Sequence, residues 1–361
     1  MSTLKRVAIV GPLPPPAGGM ANQTRKLGEF LTEEGLEVDI IQVNPAYFPA
    51  FIGKVPVIRA GFRLIQYLVS LKRQLKHVDV VHIMANSGWS WHLFAAPAIW
   101  VAHRLNKPVV LNYRGGYAQT FFEKSWFWVK PSLRKCQKIL VPSAFLQQVF
   151  EQFELHADIV PNVLDQTKFY PMEQKVVNEQ PHIIVTRNLE DIYDVATAIK
   201  GFALVQEYFP QARLSVAGTG PELNNLQALV LQLGIESQVT FVGRLSPNEI
   251  ADLYRAADVM VNTSIVDNSP NSIIESLACG TPVVSTNVGG IPTLVTDQHD
   301  AILVGIENEQ AIADGVIKLL QDDAFRVTLI KNGQNTISKF YWENVWRNLQ
   351  QHYLKAIAEK G

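Results

Sequence analysis

Two carboxylates eight residues apart, Asp267 and Glu275, bracket the most informative stretch of this sequence, Asp267-Asn268-Ser269-Pro270-Asn271-Ser272-Ile273-Ile274-Glu275. An apolar run ends at Asn262, a polar loop follows, and a helix must then begin. Ser269 is placed to cap it and Pro270 fits its first position. The helix is expected to run to Cys279, with Gly280 just beyond its end. Backbone N–H groups at a helix start have no partner within the helix, and the helix dipole adds positive potential there. Such a start suits a diphosphate. A carboxylate beside a diphosphate is unfavourable unless it accepts hydrogen bonds, and ribose or sugar hydroxyls are suitable donors. Asp267 in the loop and Glu275 about one and a half turns into the helix are the candidates for that task.

The elements that must hold this loop alternate along the chain. Short β-branched runs, such as Arg6 to Val10, Val38 to Val43, Val78 to Met84, Pro108 to Tyr113, Lys138 to Pro142 and Asp158 to Pro161, are separated by helical stretches such as Met20 to Glu34 and Trp91 to Leu105. The pattern pauses from Pro161 to Val177 and restarts with runs at His182 to Thr186, Ala212 to Ala217, Val239 to Val242, Asp258 to Asn262 and Pro282 to Thr286. Continuously apolar strands joined by helices predict parallel sheets covered on both faces. The expected fold is therefore α/β, with two Rossmann-like, doubly wound domains. Their boundaries are read as 1–165 for the first, 166–180 for a linker, 181–342 for the second and 343–361 for a terminal helix. In that helix Val345, Trp346, Leu349 and Tyr353 form an apolar face. Ser246, Pro247 and Glu249 spell a capping box at another helix start. Doubly wound sheets bind ligands at the carboxyl ends of their strands, so the cleft between the domains is the expected site.

The chain has 361 residues, 47% hydrophobic and 18% charged, the composition of an ordinary globular protein. The net charge of -1 hides an asymmetry. Residues 1–165 carry 18 basic against 11 acidic side chains, and the remainder carries 14 against 22. A basic first half suits an anionic membrane surface or a phosphorylated acceptor, though uneven surface charge without a partner accounts for it equally. Lys54, Arg59, Arg63, Lys72, Arg73 and Lys76 flank Leu64, Ile65, Leu68, Val69 and Leu71. That stretch reads either as a helix lying on anionic lipid or as a core-facing helix with a charged outer face. Two cysteines, Cys136 and Cys279, are too few for a disulfide framework, and no apolar run is long enough to span a bilayer. The expected location is the cytoplasm, with any membrane contact peripheral. No D-x-D follows a strand and no His/Cys/Glu cluster has metal-ligand spacing, so no metal, cofactor or nucleic-acid partner is expected. His82, in an apolar strand, reads as a satisfied core histidine.

The segment from Asp267 to Glu275, running on to Cys279-Gly280-Thr281-Pro282, resembles the E-x7-E signature of the retaining glycosyltransferases of family 4. The resemblance covers nearly the whole chain and implies the two-domain GT-B fold, with the last helix crossing back onto the N-terminal domain. It implies that Glu275 binds the nucleotide ribose and that Asp267, Asn268, Ser269, Pro270, Asn271, Ser272 and Ile273 hold the donor sugar and phosphates. The first acid is Asp267 rather than Glu, one methylene shorter. Gly18-Gly19 matches the family's N-terminal glycine loop, where glycine lets backbone approach a phosphate or acceptor closely. A plain turn after Pro14-Pro15-Pro16 is the alternative. Gly218-Thr219-Gly220-Pro221-Glu222 is similar to the family's G-x-G-P-E turn, and Gly289-Gly290-Ile291-Pro292 also matches.

Two departures stand out. The family pairs an Arg with a nearby Lys to neutralise the leaving diphosphate. Here Arg187, in Thr186-Arg187-Asn188-Leu189, matches, but no Lys follows until Lys200. Where many relatives carry a His facing the sugar, this chain has Tyr113-Arg114-Gly115-Gly116. Arg114 is the candidate to supply the missing cation, touching either the donor phosphate or an anionic acceptor; a surface arginine at a turn accounts for it equally.

The expected activity is metal-independent hexosyl transfer with retention. A nucleoside diphosphate sugar donates to a carbohydrate or lipid-linked acceptor, as in the building of surface polysaccharide or glycolipid. Asp267 and Arg187 are the expected catalytic pair. Gly18, Gly19, Arg114, Gly218 and the residues from Asn268 to Glu275 named above are the binding set. A departing phosphate oxygen can accept the acceptor's proton, so no side-chain base is needed. A non-catalytic nucleotide-sugar binder is the rival from another class. A nicotinamide oxidoreductase is excluded by Leu223, which stands where G-x-G-x-x-G needs its third glycine.

Overall fold

A computed structural model describes residues 4–15, 19–44, 56–172 and 179–360. The chain divides into two compact units. One comprises residues 1–163 together with 342–361, and the other residues 164–341.

In chain order the first unit contains β1 (Arg6–Gly11), α1 (Gly19–Glu33), β2 (Glu37–Gln42), α2 (Pro56–Gln74), β3 (Val80–Ala85), α3 (Ala96–Arg104), β4 (Val109–Tyr113), α4 (Ala118–Leu133), β5 (Lys138–Val141), α5 (Ala144–Gln152) and β6 (Asp158–Ile159). Among the described residues its strands form one sheet, ordered β2-β1-β3-β4-β5-β6, with every pairing parallel. The order reverses beside β1, which marks the switch point of a doubly wound sheet. Strands β3 and β4 are buried at every position, as a sheet covered on both faces requires. On one face Val10, Ile83, Leu111 and Val141 pack with Tyr67, Leu71, Ile99 and Phe122. On the other, Val7, Ile9, Val110 and Leu140 pack with Leu27 and Leu31 of α1.

The second unit holds β7 (His182–Val185), α6 (Val195–Tyr208), β8 (Arg213–Ala217), α7 (Leu223–Leu233), β9 (Val239–Gly243), α8 (Pro247–Ala256), β10 (Val259–Asn262), α9 (Asn271–Ala278), β11 (Val283–Thr286), α10 (Ile291–Leu294), β12 (Ile302–Val304), α11 (Glu309–Gln321) and α12 (Asp323–Thr336). Its sheet runs β12-β11-β10-β7-β8-β9, again parallel throughout. The order turns back between β10 and β7, so the loops leaving these two strands face each other across a crevice. The last helix, α13 (Trp342–Lys360), returns to the first unit. Its Val345, Leu349, Tyr353 and Ala356 complete the cluster under Val7, Ile9 and Val110.

Local signals mostly land where the sequence puts them. Ser246 accepts from the Glu249 amide at 3.4 Å and its own amide donates to the Glu249 carboxylate at 2.7 Å. Gly35 takes φ +82° and closes α1, its N–H bonding the Thr32 carbonyl while the Leu36 N–H reaches Leu31. Three readings need correction. The helix expected over Trp91 to Leu105 opens with a π-helical turn, Trp91–Ala95, before α3. The second unit begins earlier than the reading placed it, at Leu164 in the stretch read as the end of the first domain, and takes in Phe169 of the stretch read as a linker. Leu164 and Phe169 are buried in the second unit's core, and the Leu164 N–H donates to the Phe340 carbonyl at 2.9 Å. Their apolar side chains outweigh the surrounding turn residues. His82 is fully buried but only half satisfied: one ring nitrogen meets the Tyr353 hydroxyl at 2.9 Å, and Nε2 has no partner among the described residues. Burial, with a lesser contribution from Arg114, lowers its pKa to about 3, so the ring is neutral.

Most of the basic stretch falls on α2, which has a core-facing side and an exposed one. Tyr67, Leu71 and partly buried Leu64 and Leu68 face the core, while Ile65 and Val69 stand exposed. The side chains of Lys54, Arg59 and Arg63 lie outside the described residues.

Candidate active site

The second unit's crevice collects the residues that the sequence singles out. Arg187 leaves the end of β7 and Asp267 sits in the loop after β10, 80 residues later, yet Arg187 Nη2 donates directly to Asp267 Oδ2. Both side chains are nine-tenths buried or close to it, at 12% and 13% exposure. Arg187 Nη1 also reaches Ser272 Oγ at 3.4 Å, in the first turn of α9, and the guanidinium lies over the Tyr193 ring at 4.1 Å. Its Nε is buried and has no hydrogen-bond partner among the described residues. The second Asp267 oxygen accepts from the Asn268 amide at 2.8 Å. Arg187 is thus held by one charge partner and an aromatic face, with donor capacity left over.

Glu275 lies one turn along α9 from Ser272 and is half-buried. Its charge acts on the buried Tyr254 hydroxyl, which bonds Thr186 Oγ1 at 2.8 Å. Burial foremost, and Glu275 next, push the Tyr254 hydroxyl well above its usual range, so it stays protonated. Cation, two carboxylates and helix start therefore share one end of one sheet.

The start of α9 differs from the reading above. Ser269 is not the cap. Pro270, with ψ 115°, occupies that position, helical geometry begins at Asn271, and the Pro270 side chain makes no cap hydrogen bond. An extended Pro270 moves the helix start one residue on, and proline has no acceptor to offer the first amides. The far end follows expectation, with Gly280 at φ +72° and the Thr281 N–H bonding the Ser276 carbonyl at 3.0 Å.

Glycines position this cluster by letting backbones touch. A Cβ on Gly218 would lie 1.9 Å from the Arg187 carbonyl oxygen, and one on Gly220 would lie 2.1 Å from that of Leu189. The G-x-G-P-E turn therefore braces the Arg187 segment, and the Leu189 and Glu222 amides complete the contact by hydrogen bonds to Thr219 and Leu189 carbonyls at 3.1 and 3.0 Å. Gly289 and Gly290 do the same for the acidic loop. Their Cβ atoms would fall 2.0 Å from the Asp267 carbonyl oxygen and 1.8 Å from that of Asn268. Beneath the loop lies a buried polar network that the sequence reading missed. Asn262 Nδ2 donates to Ser285 Oγ at 2.9 Å, Ser264 Oγ donates to Asn262 Oδ1 at 2.9 Å, and Thr286 Oγ1 donates to the Ser264 carbonyl at 2.6 Å. Its signal was the polar run Asn262-Thr263-Ser264 at the end of an apolar strand. Tyr193 and Tyr254 carried no comparable signal, since tyrosines in helical contexts are ordinary.

The first unit holds the remaining candidates. Gly19 opens α1 and is exposed; Gly18 lies outside the described residues. Arg114 follows β4 and donates through Nε to Asn112 Oδ1 at 3.2 Å and through Nη1 to Asn162 Oδ1. Among the described residues no carboxylate pairs with it. The residue keeps some contact with solvent, yet desolvation of the guanidinium lowers its pKa to about 10. It remains charged at neutral pH.

Two doubly wound parallel sheets, the second with an arginine, an aspartate and a helix start meeting at its switch point, define an enzyme of the GT-B class. Residues 167–336 match the family of glycosyl transferases group 1, and residues 17–168 match Glycosyltransferase Family 4. The chain belongs to family 4 of the glycosyltransferases. An uncharacterised glycosyltransferase of Methanocaldococcus jannaschii is 25% identical over 95% of this chain and 96% of its own length. Sucrose-phosphate synthase from Thermosynechococcus elongatus has a similar fold, with a TM-score of 0.78 at 20% identity over 98% of this chain and all of that one. So has Anabaena HepE in complex with UDP and glucose, with a TM-score of 0.72 at 16% identity over 96% of this chain and 98% of that one. Among the described residues no helix is long and apolar enough to cross a membrane.

Proposed function

We propose that this glycosyltransferase moves a hexosyl group from a nucleoside diphosphate sugar, with retention and without a metal ion. The donor binds the second unit, and a carbohydrate or lipid-linked acceptor binds the first. The observation that carries the reading is the pairing of Arg187 with Asp267 beside the start of α9. With no donor present, Asp267 serves as the counter-ion of Arg187. A diphosphate offers Arg187 a bidentate anion in its place, joined by the dipole of α9. Asp267 is then released to accept from a sugar hydroxyl, and Glu275 to accept from the ribose. The order of events follows from charge: two anions cannot share one cation as well as one can. Arg187 stabilises the diphosphate as it departs, which replaces the Arg–Lys pair of the family with a single buried cation. A leaving phosphate oxygen takes the acceptor's proton as the new glycosidic bond forms on the same face of the sugar. HepE, crystallised with UDP and glucose, supports a nucleotide-linked donor of this kind.

The test is a transfer assay with a panel of nucleoside diphosphate sugars, run with and without EDTA, with the product's anomeric configuration read by NMR. An α-product from an α-donor, undiminished by EDTA, supports the reading. An inverted product or EDTA sensitivity defeats it. Saturable donor binding with neither hydrolysis nor transfer would instead favour the binder reading, which the missing lysine keeps in view. Peripheral attachment to the cytoplasmic face of a membrane is part of the same proposal. On α4, Phe127 and Trp128 are exposed at 78% and 70% and meet edge to face at 5.2 Å, with Lys124 and Lys130 on the same helix.

A further inference from the structure

Arg187 is held by more than its counter-ion. Its guanidinium carbon lies over the Tyr193 ring, 4.1 Å from the centroid. Tyr193 ends the single 3₁₀ turn Asp191–Tyr193 that leads into α6, and that turn is pinned on two sides. The Asp194 carboxylate accepts from the Thr197 amide at 3.3 Å and caps α6. The Thr263 hydroxyl donates to the Asp194 carbonyl at 2.8 Å and meets the Tyr193 carbonyl at 3.1 Å, while the Ile265 N–H donates to the Ile192 carbonyl at 2.8 Å. Thr263 and Ile265 belong to the loop that carries Asp267. The ring is therefore fixed to the same loop as the counter-ion.

An aromatic face holds a guanidinium without spending its donors. The five N–H groups lie in the guanidinium plane, and the attraction of the ring acts across that plane. In the resting site Nη2 serves Asp267, Nη1 reaches Ser272 at 3.4 Å, and Nε has no hydrogen-bond partner among the described residues. Once a diphosphate displaces Asp267, two of these contacts stay: the bond to Ser272, at the long limit of hydrogen bonding, and the ring. No lysine stands between Arg187 and Lys200, so the charge of the diphosphate falls on a cation whose placement matters the more.

We propose that Tyr193 is a positioning residue. Its ring seats Arg187 in the orientation that receives the diphosphate and keeps it there while Asp267 gives way. The inference rests on the reading of Arg187 as the cation that binds the donor's diphosphate. Without the ring, the guanidinium and its counter-ion regain rotamers that each binding event must then remove, at about 3-fold to 10-fold in affinity.

The test titrates the full chain with UDP, GDP, ADP and dTDP by calorimetry and carries the tightest of the four into the variants. Tyr193→Met, close in size but without a ring, should weaken binding about 3-fold to 10-fold. Tyr193→Phe should restore most of the affinity. In the Arg187→Gln background Tyr193→Met should change nothing further, because its effect passes through Arg187. Wild-type affinity in Tyr193→Met, equal weakness of the Phe and Met variants, or the same loss in both backgrounds would overturn the proposal. If Tyr193→Met does not fold, the wild type decides by NMR. The ring-current shift of the Arg187 side-chain resonances, assigned by their loss in Arg187→Gln, should persist at saturating nucleotide, and its disappearance overturns the proposal. Failure of the donor reading is told apart: there the wild type binds none of the four, or Arg187→Gln binds as the wild type does, and the role of Tyr193 falls with it.

Discussion

Replacing Asp267 by Asn should make the enzyme bind nucleoside diphosphate more tightly while transferring more slowly. Asp267 and Arg187 neutralise each other in a nearly buried pair, so any diphosphate must first displace the carboxylate. Asn keeps the shape and one acceptor but removes the competing charge. Exposed pairs are worth about 0–1 kcal/mol, whereas breaking a fully buried pair is strongly destabilising. At 12% and 13% exposure this pair belongs between those limits, at about 2 kcal/mol. Removing the competitor should tighten UDP binding by that amount, about 30-fold. The free protein should lose about 2 kcal/mol of stability, because Arg187 is left buried without a counter-ion, and saturating UDP should restore it. Transfer should fall by about 100-fold or more, since the carboxylate that orients the sugar is gone. Calorimetric titration with UDP, denaturant unfolding with and without UDP, and initial rates test the three parts separately. UDP binding that is unchanged or weaker in Asp267→Asn would refute the exchange of partners, even if transfer were lost.

Gly218→Ala should disable donor binding without touching any ligand itself: its Cβ would stand 1.9 Å from the Arg187 carbonyl oxygen. A stability loss of about 1–3 kcal/mol in urea, with weaker UDP binding, is the expected pair of outcomes. Tyr353→Phe strips the buried His82 of its one side-chain hydrogen bond and should cost about 1–2 kcal/mol in the same assay. His82 also sets a pH dependence. Its folded pKa, about 3, lies below that of the unfolded chain, so between about pH 6.5 and 3 the unfolded state binds the extra proton. Stability contributed by neutral His82 is complete above that window and declines on acidification, by up to about 1.4 kcal/mol per pH unit. His82→Asn should flatten the acid limb of the melting temperature against pH; an unaltered limb would remove His82 from the account. Phe127→Ser with Trp128→Ser should reduce co-sedimentation with anionic vesicles about 10-fold or more and leave neutral vesicles little changed.

Much of this was legible in the sequence because it depends on short-range rules. Period and composition announced buried parallel strands, since β3 and β4 had to be apolar on both faces. The capping box at Ser246 and the glycines at 35 and 280 marked helix ends through backbone geometry that few other residues adopt. The acidic spacing from Asp267 to Glu275 located the candidate site, because a helix start and a polar loop are local features.

Tertiary structure alone decided what those residues touch. That Asp267 answers Arg187 across 80 residues depends on β10 and β7 lying side by side, and strand order is a global property of the sheet. Gly218 read as ligand-facing in sequence and Gly289 only as part of a family match, yet folding turns both toward the Arg187 and Asp267 backbones. Ser269 lost the cap to Pro270 because loop geometry, not cap preference, set where helical angles begin. A cavity in the first unit was invisible beforehand for a related reason: an empty volume is defined only by side chains that the fold brings together, here from β1, β3, α1 and the turn before α3.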